Sequence, residues 1–215
     1  MAEDNLVGKR AGQIHEAKEQ YEIAVRLRPA YPEAHNNLGV LLIQEGRPQE
    51  AIAQYQQALR NKPDYAEAYN NLGTALFGQG RLDEAIDCFE RALRSSPDYV
   101  DAHCNLGNAL MQSGRLPEAM QHYEHAIRVD PNSAEAHNNL GIVLLREARL
   151  KEAIAHFEQS VRIKPDYAQA HFNLGVALQR TGKTQEAIGH YQEALRLKPD
   201  FAEAEKHLAQ ARAGQ

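Results

Sequence analysis

One pattern recurs along the chain at a constant interval of 34 residues. Asn-Leu-Gly stands at Asn37-Leu38-Gly39 and again from Asn71, Asn105, Asn139 and Asn173. Glu-Ala follows at Glu50, Glu84, Glu118, Glu152 and Glu186, and prolines close the units at Pro29, Pro63, Pro97, Pro131, Pro165 and Pro199. No insertion or deletion breaks this register. A fixed period of this size sets the architecture before any residue-level argument. Each unit is one supersecondary element that cannot bury its apolar face alone, so copies must stack.

Residues 64–97 show what one unit must be. Asp64 and Glu67 have the spacing of a capping box, which predicts a helix start there. Ala68, Leu72, Ala75 and Leu76 then recur at helical spacing and give one apolar face. Gly73 falls inside that helix at a cost of about 1 kcal/mol relative to Ala, which calls for the close approach of a second helix. Gly80 suits a left-handed helix end. A second helix from Leu82 or Asp83 carries Ala85, Ile86, Phe89, Ala92 and Leu93 on one face, and Pro97 forbids its continuation. Each unit therefore reads as a hairpin of two antiparallel helices.

The residues Leu72-Gly73, Gly80, Ala85, Phe89, Ala92 and Pro97 resemble the tetratricopeptide repeat signature, and the resemblance extends over nearly the whole chain. Tyr69, or His at positions 35, 103, 137 and 171, stands where the family often has Trp. Ala148 replaces the hairpin glycine and Ser160 the small alanine of the second helix; both predict a looser hairpin there. The resemblance implies an all-α, right-handed superhelical solenoid of antiparallel hairpins whose first helices line the concave face. The expected plan is a single solenoid over 1–215. It has a partial first repeat (1–31), full repeats 32–65, 66–99, 100–133, 134–167 and 168–201, and a capping helix over 202–215. At the N-terminus, Gly8 and Gly12 leave only Asn5-Leu6-Val7 as a remnant of a first helix before a second one ending near Pro29.

On the face of the first helices, the row Asn37, Asn71, Asn105, Asn139 and Asn173 is the leading candidate for binding. Asn is a middling helix former, and a buried amide needs partners. A carboxamide matches a backbone peptide unit, so such a row can grip an extended peptide about every third residue, given helices about 10 Å apart. Similar asparagine rows in O-linked N-acetylglucosamine transferases and kinesin light chains imply the same use. The competing reading is that these amides bond a neighbouring helix and fix repeat geometry; the two are compatible. Asn36, Asn70, Asn138 and Phe172 lie beside the row, and Phe77 and Met111 continue the strip as candidate apolar contacts. Arg146 and Arg180 are expected near helix ends, and the acidic row Glu33, Glu67, Asp101 and Glu135 is expected to cap. The basic clamp that some relatives direct at a terminal carboxylate is missing from this face.

Several function classes are disfavoured. A formal charge of −5 gives no electrostatic case for nucleic acid, and no stretch approaches the about 20 apolar residues of a membrane span. Two cysteines, Cys88 and Cys104, make no disulfide framework; a reducing, cytoplasmic setting is compatible, as is a periplasmic one. Cys104 is expected to be groove-exposed and oxidisable. Ten histidines invite a metal, but equivalents in successive repeats stand about 10 Å apart, too far to share an ion. Only His122 and His125 are close in helical spacing. No catalytic, cofactor or metal site is expected. The reading is a protein-interaction scaffold. The alternatives are the substrate-recognition arm of a glycosyltransferase whose catalytic domain lies elsewhere, and self-association through an apolar N-terminal edge.

Overall fold

A computed structural model describes residues 2–214, with side chains described from residue 15 onward. The described residues form helices, and the chain divides into two compact units, 1–109 and 110–215. The first unit holds α1 (Ala2–Leu27), the hairpin α2 (Pro32–Gln44) with α3 (Pro48–Asn61), and the hairpin α4 (Ala66–Gly78) with α5 (Leu82–Ser95). Helix α6 (Val100–Gln112) crosses from one unit to the other. The second unit holds α7 (Leu116–Val129), the hairpin α8 (Ala134–Arg146) with α9 (Leu150–Ile163), the hairpin α10 (Ala168–Arg180) with α11 (Thr184–Leu197), and α12 (Ala202–Ala213).

Inside each hairpin, the helical glycine faces an aromatic ring. A Cβ built on Gly73 would stand 2.6 Å from Phe89 Cε1, and one on Gly39 would stand 2.5 Å from Tyr55 Cε1. Gly141 faces Phe157 and Gly175 faces Tyr191 in the same way, at 2.6 Å each. The rings are buried, as are Ala51, Ala85, Ala153 and Ala187 on the second helices. Small residues on one helix thus admit a large ring from the other, and the intrinsic cost of glycine is offset by that packing. Between the helices, Gly46, Gly80, Gly114 and Gly182 turn at φ of 72, 74, 78 and 81°.

The two departures from the pattern resolve differently. Ala148 keeps the glycine conformation at φ 60°, a strained place for a side chain. Ser160 loosens nothing: it is fully buried and its Oγ donates to the Ala134 carbonyl at 2.7 Å. Its hydroxyl is fed by an acceptor on the facing helix, so burial carries no penalty.

Two sequence expectations change. Asp64 is not a cap, because α4 starts at Ala66 with Tyr65 as N-cap and no side-chain cap bond. Pro63 and Asp64 instead occupy the middle of a β-turn closed by Tyr65 N–H to the Lys62 carbonyl at 3.2 Å. The same turn recurs at Ser96–Tyr99, Asp130–Ser133, Lys164–Tyr167 and Lys198–Phe201, each with proline second. Ser133 does cap, accepting from Ala136 N–H at 3.2 Å. At the N-terminus, α1 is one continuous helix rather than a remnant plus a second helix. Gly8 and Gly12 lie within it; glycine weakens a helix interior by about 1 kcal/mol but does not forbid it, and no proline precedes Pro29. The side chains of Asn5, Leu6 and Val7 lie outside the described residues.

Candidate functional site

The row of asparagines is joined across repeats. Asn71 Nδ2 donates to Asn36 Oδ1 at 3.0 Å, Asn105 to Asn70 at 2.9 Å, and Asn173 to Asn138 at 2.9 Å. In these three bonds the donor is the Asn of Asn-Leu-Gly, and the acceptor is the residue before that motif in the preceding repeat. Asn37, which has no such neighbour, donates to the Tyr21 hydroxyl at 3.2 Å. The geometry-fixing role is therefore present in both units, each bond lying within one of them.

Behind the row, Asn36, Asn70 and Asn138 are buried, so solvent does not reach the positions expected beside it. Asn36 is fixed further by donating to Glu67 Oε1 at 3.1 Å. Glu67 thus serves as an inter-repeat acceptor and not as a capping residue. Asn71 and Asn105 are half-buried, while Asn139 and Asn173 are 7% and 8% exposed. A carboxamide carries two donors and two lone pairs. After one N–H is given to the preceding repeat, Asn71 and Asn105 each retain one donor and a carbonyl oxygen, the number a peptide unit requires.

In the first unit, Asn71 opens onto a cavity of about 540 Å³ lined also by Val40, Ile43, Tyr55, Thr74, Ala75 and Gln79. Burial pushes the Tyr55 phenol up to about 12, with the Glu67 charge adding to it, so Tyr55 is neutral at any ordinary pH. Gln79 Nε2 is buried there with no hydrogen-bond partner. Gln79 was not legible in the sequence, because it sits past the end of α4 where no periodicity applies.

Other candidates fall elsewhere. Phe77 and Met111 are half-buried, and Phe77 is not among the residues lining this cavity. Phe172 belongs to an aromatic cluster, 4.9 Å from Phe201, 6.0 Å from Tyr191 and 5.3 Å from His207 between ring centres. Its face is spent on seating α12. Cys104 is buried instead of groove-exposed, because its face of α6 turns inward. Cys88 is buried too, and that burial raises its thiol to about 11, far from a reactive thiolate. Arg180 donates to the Leu145 carbonyl at 3.0 Å, satisfying the C-terminal end of α8. Among the described residues, no group of three His, Cys, Asp or Glu could hold a metal, and no helix is long and apolar enough to cross a membrane.

A family model described as the Cilia and flagella-associated protein 70 C-terminal domain matches residues 30–215, and a TPR repeat model matches residues 10–46. No curated protein sequence matches the chain. Among solved structures, it is similar to YrrB, described as a TPR protein with an unusual peptide-binding site, at 26% identity and TM-score 0.67; the match covers 88% of this chain and 97% of that one. Pseudomonas aeruginosa pilF matches at 22% identity and TM-score 0.81, over 95% of this chain and 93% of that one. A chain of the APC/C hetero-tetramer Cut9–Hcn1 matches at 19% and TM-score 0.84, over 94% of this chain and 40% of that one. The last two show the fold alone. With its glycine-on-ring hairpins and a family model spanning residues 30–215, the chain belongs to the tetratricopeptide repeat family, in the group described by the Cilia and flagella-associated protein 70 C-terminal domain.

Proposed function

We propose that this interaction scaffold holds an extended peptide segment of a partner protein along its row of asparagines. The observation that carries the reading is the cavity of about 540 Å³ in the first unit. There the spare capacity of Asn71 and the unpartnered Nε2 of Gln79 meet an apolar wall of Val40, Ile43 and Ala75. Polar groups placed at an apolar cleft are the usual makeup of a recognition site. Asn71 and Asn105 supply the backbone grip, with Gln79 donating to a further carbonyl and the cavity taking an apolar side chain. The likeness to YrrB, a protein described by its peptide-binding site, supports the reading.

The expected affinity is modest. Each hydrogen bond is worth about 1 kcal/mol net, and ordering a flexible ligand takes back much of the total, which leaves micromolar binding. Because the same amides also join repeats, a simple alanine scan confounds two roles. The test therefore compares Asn105→Ala with Asn70→Ala after a peptide array has identified ligands for the wild type. Both variants break the bond from Asn105 to Asn70, but only the first removes the half-buried amide. Loss of binding in Asn105→Ala with retention in Asn70→Ala supports the grip. Equal binding in both, with melts confirming folded protein, sinks it.

A further inference from the structure

Two pairs of imidazoles face each other across the hairpins of the second unit. His137 Nδ1 lies 3.0 Å from His156 Nδ1, and His171 Nδ1 lies 3.1 Å from His190 Nδ1. On the opposite side of each ring, His137 Nε2 meets the Pro131 carbonyl at 3.3 Å and His171 Nε2 meets the Pro165 carbonyl at 3.0 Å. A carbonyl only accepts, so each Nε2 carries the hydrogen, and the neutral ring presents a bare Nδ1 lone pair toward its partner. That is the arrangement of a metal-ligating histidine, whose remote N–H is tied to a backbone carbonyl.

We propose that His137 with His156, and His171 with His190, form two transition-metal sites, each taking one Zn²⁺ or Ni²⁺ ion through two Nδ1 atoms. Two imidazole nitrogens at about 2.0–2.1 Å from a tetrahedral ion stand about 3.3 Å apart, so each pair must open by about 0.3 Å and both head-on rings must tilt toward the ion. The proton lying between the rings moves to the other nitrogen of His156 or His190, so the neutral pair binds without net proton release. Both of these second-helix histidines are half-buried, and His156 lines an open cavity of about 460 Å³ with His137 and Gln159. No third protein ligand stands at either pair among the described residues, so water fills the remaining positions.

The surroundings rank the two sites. Arg149 and Arg162 lie near the first pair, with Glu152 held by Arg149. Glu186 and Glu193 lie near the second pair, held by Lys183 and Arg196, so its surroundings are neutral where those of the first pair carry one uncompensated Arg162 charge, which makes His171–His190 the tighter site. The first hairpin supplies an internal control, because Gln54 takes the place opposite His35, with Oε1 2.7 Å from Nδ1. Glutamine is thus compatible with the fold at that place.

The full chain, freed of any affinity tag, is titrated with ZnCl₂ or NiCl₂ by calorimetry and thermal melting at pH 7.5, with MgCl₂ as the control. The wild type is expected to melt about 3 °C or more higher with either transition metal and unchanged with Mg²⁺. The variant His156→Gln/His190→Gln should bind two equivalents fewer, melt within about 1 °C of the metal-free wild type, and gain correspondingly less from metal. Of the single variants, His190→Gln should lose the tighter equivalent. A wild type that takes up no Zn²⁺ or Ni²⁺, or a folded double variant with unchanged stoichiometry, overturns the proposal and leaves hydrogen-bonded pairs only.

Discussion

Gly73→Ala tests the packing rule on which every hairpin rests. The added Cβ would stand 2.6, 2.8 and 3.0 Å from Cε1, Cδ1 and Cζ of Phe89. Carbon atoms prefer about 3.5–4.0 Å, so the ring must retreat by close to 1 Å. Phe89 is only 1% exposed and has nowhere to go without shifting α5 against α4. Overpacking of this kind costs about 3 kcal/mol at the upper end of the usual range, while alanine returns about 1 kcal/mol of helix propensity. The net expectation is a loss of about 2 kcal/mol, or about 4–8 °C in Tm for a chain of this size. Gly189→Ala is the matched control, since Gly189 lies inside α11 with nothing within 4 Å of its Cβ position. It should gain about 1 kcal/mol from propensity alone. Both are read by urea unfolding followed by far-UV circular dichroism, and Phe89→Leu should recover part of the Gly73→Ala loss. If Gly73→Ala is as stable as wild type, or the two glycine variants behave alike, close approach does not explain the repeated glycine.

Further outcomes follow from single observations. Ala148→Gly relieves a side chain held at φ 60°. A left-handed residue costs about 1–2 kcal/mol, and glycine's freedom in the unfolded chain returns about 0.4–1 of it, so the urea midpoint should rise by the equivalent of about 0.5–1 kcal/mol. Asn105→Ala leaves the buried Asn70 carbonyl oxygen without its 2.9 Å donor and should cost about 1–2 kcal/mol in the same assay. The pH dependence is set by His137, His156 and His190, each held below the usual imidazole value of 6.5 chiefly by burial. The unfolded chain then binds protons that the native chain refuses, so this stability is complete above pH 6.5 and declines as pH falls toward the lowered native values. Urea midpoints measured in EDTA should fall progressively below pH 6.5 and be flat from 7 to 8; a midpoint that rises on acidification would contradict it.

The repeat was legible because packing is periodic. Gly73 announced the close approach of Phe89, Gly80 announced a left-handed turn, and Pro63 announced the break between units. The capping box at Asp64 misled because Asp-x-x-Glu also fits a proline turn followed by a helix two residues later. Burial beside the row was not legible: Asn36 and Asn37 are adjacent and chemically identical, and only the roll of α2 puts one behind the other. The histidine pairs were not legible for a related reason. The repeat aligns equivalents 34 residues apart, whereas the rings that meet are 19 apart, across one hairpin. Ser160 read as a defect because the carbonyl that accepts its hydroxyl, that of Ala134, lies on the other helix of the hairpin.

The most direct test of the central claim is to follow the side-chain amide resonances of the asparagines by ¹⁵N NMR while titrating a peptide that the wild type binds. Large shifts are expected for the Nδ2 groups of Asn71 and Asn105 and the Nε2 group of Gln79, with the buried Asn36 amide nearly still. Shifts confined to residues of the second helices, with Asn71, Asn105 and Gln79 unmoved at saturation, would place the peptide elsewhere and contradict it.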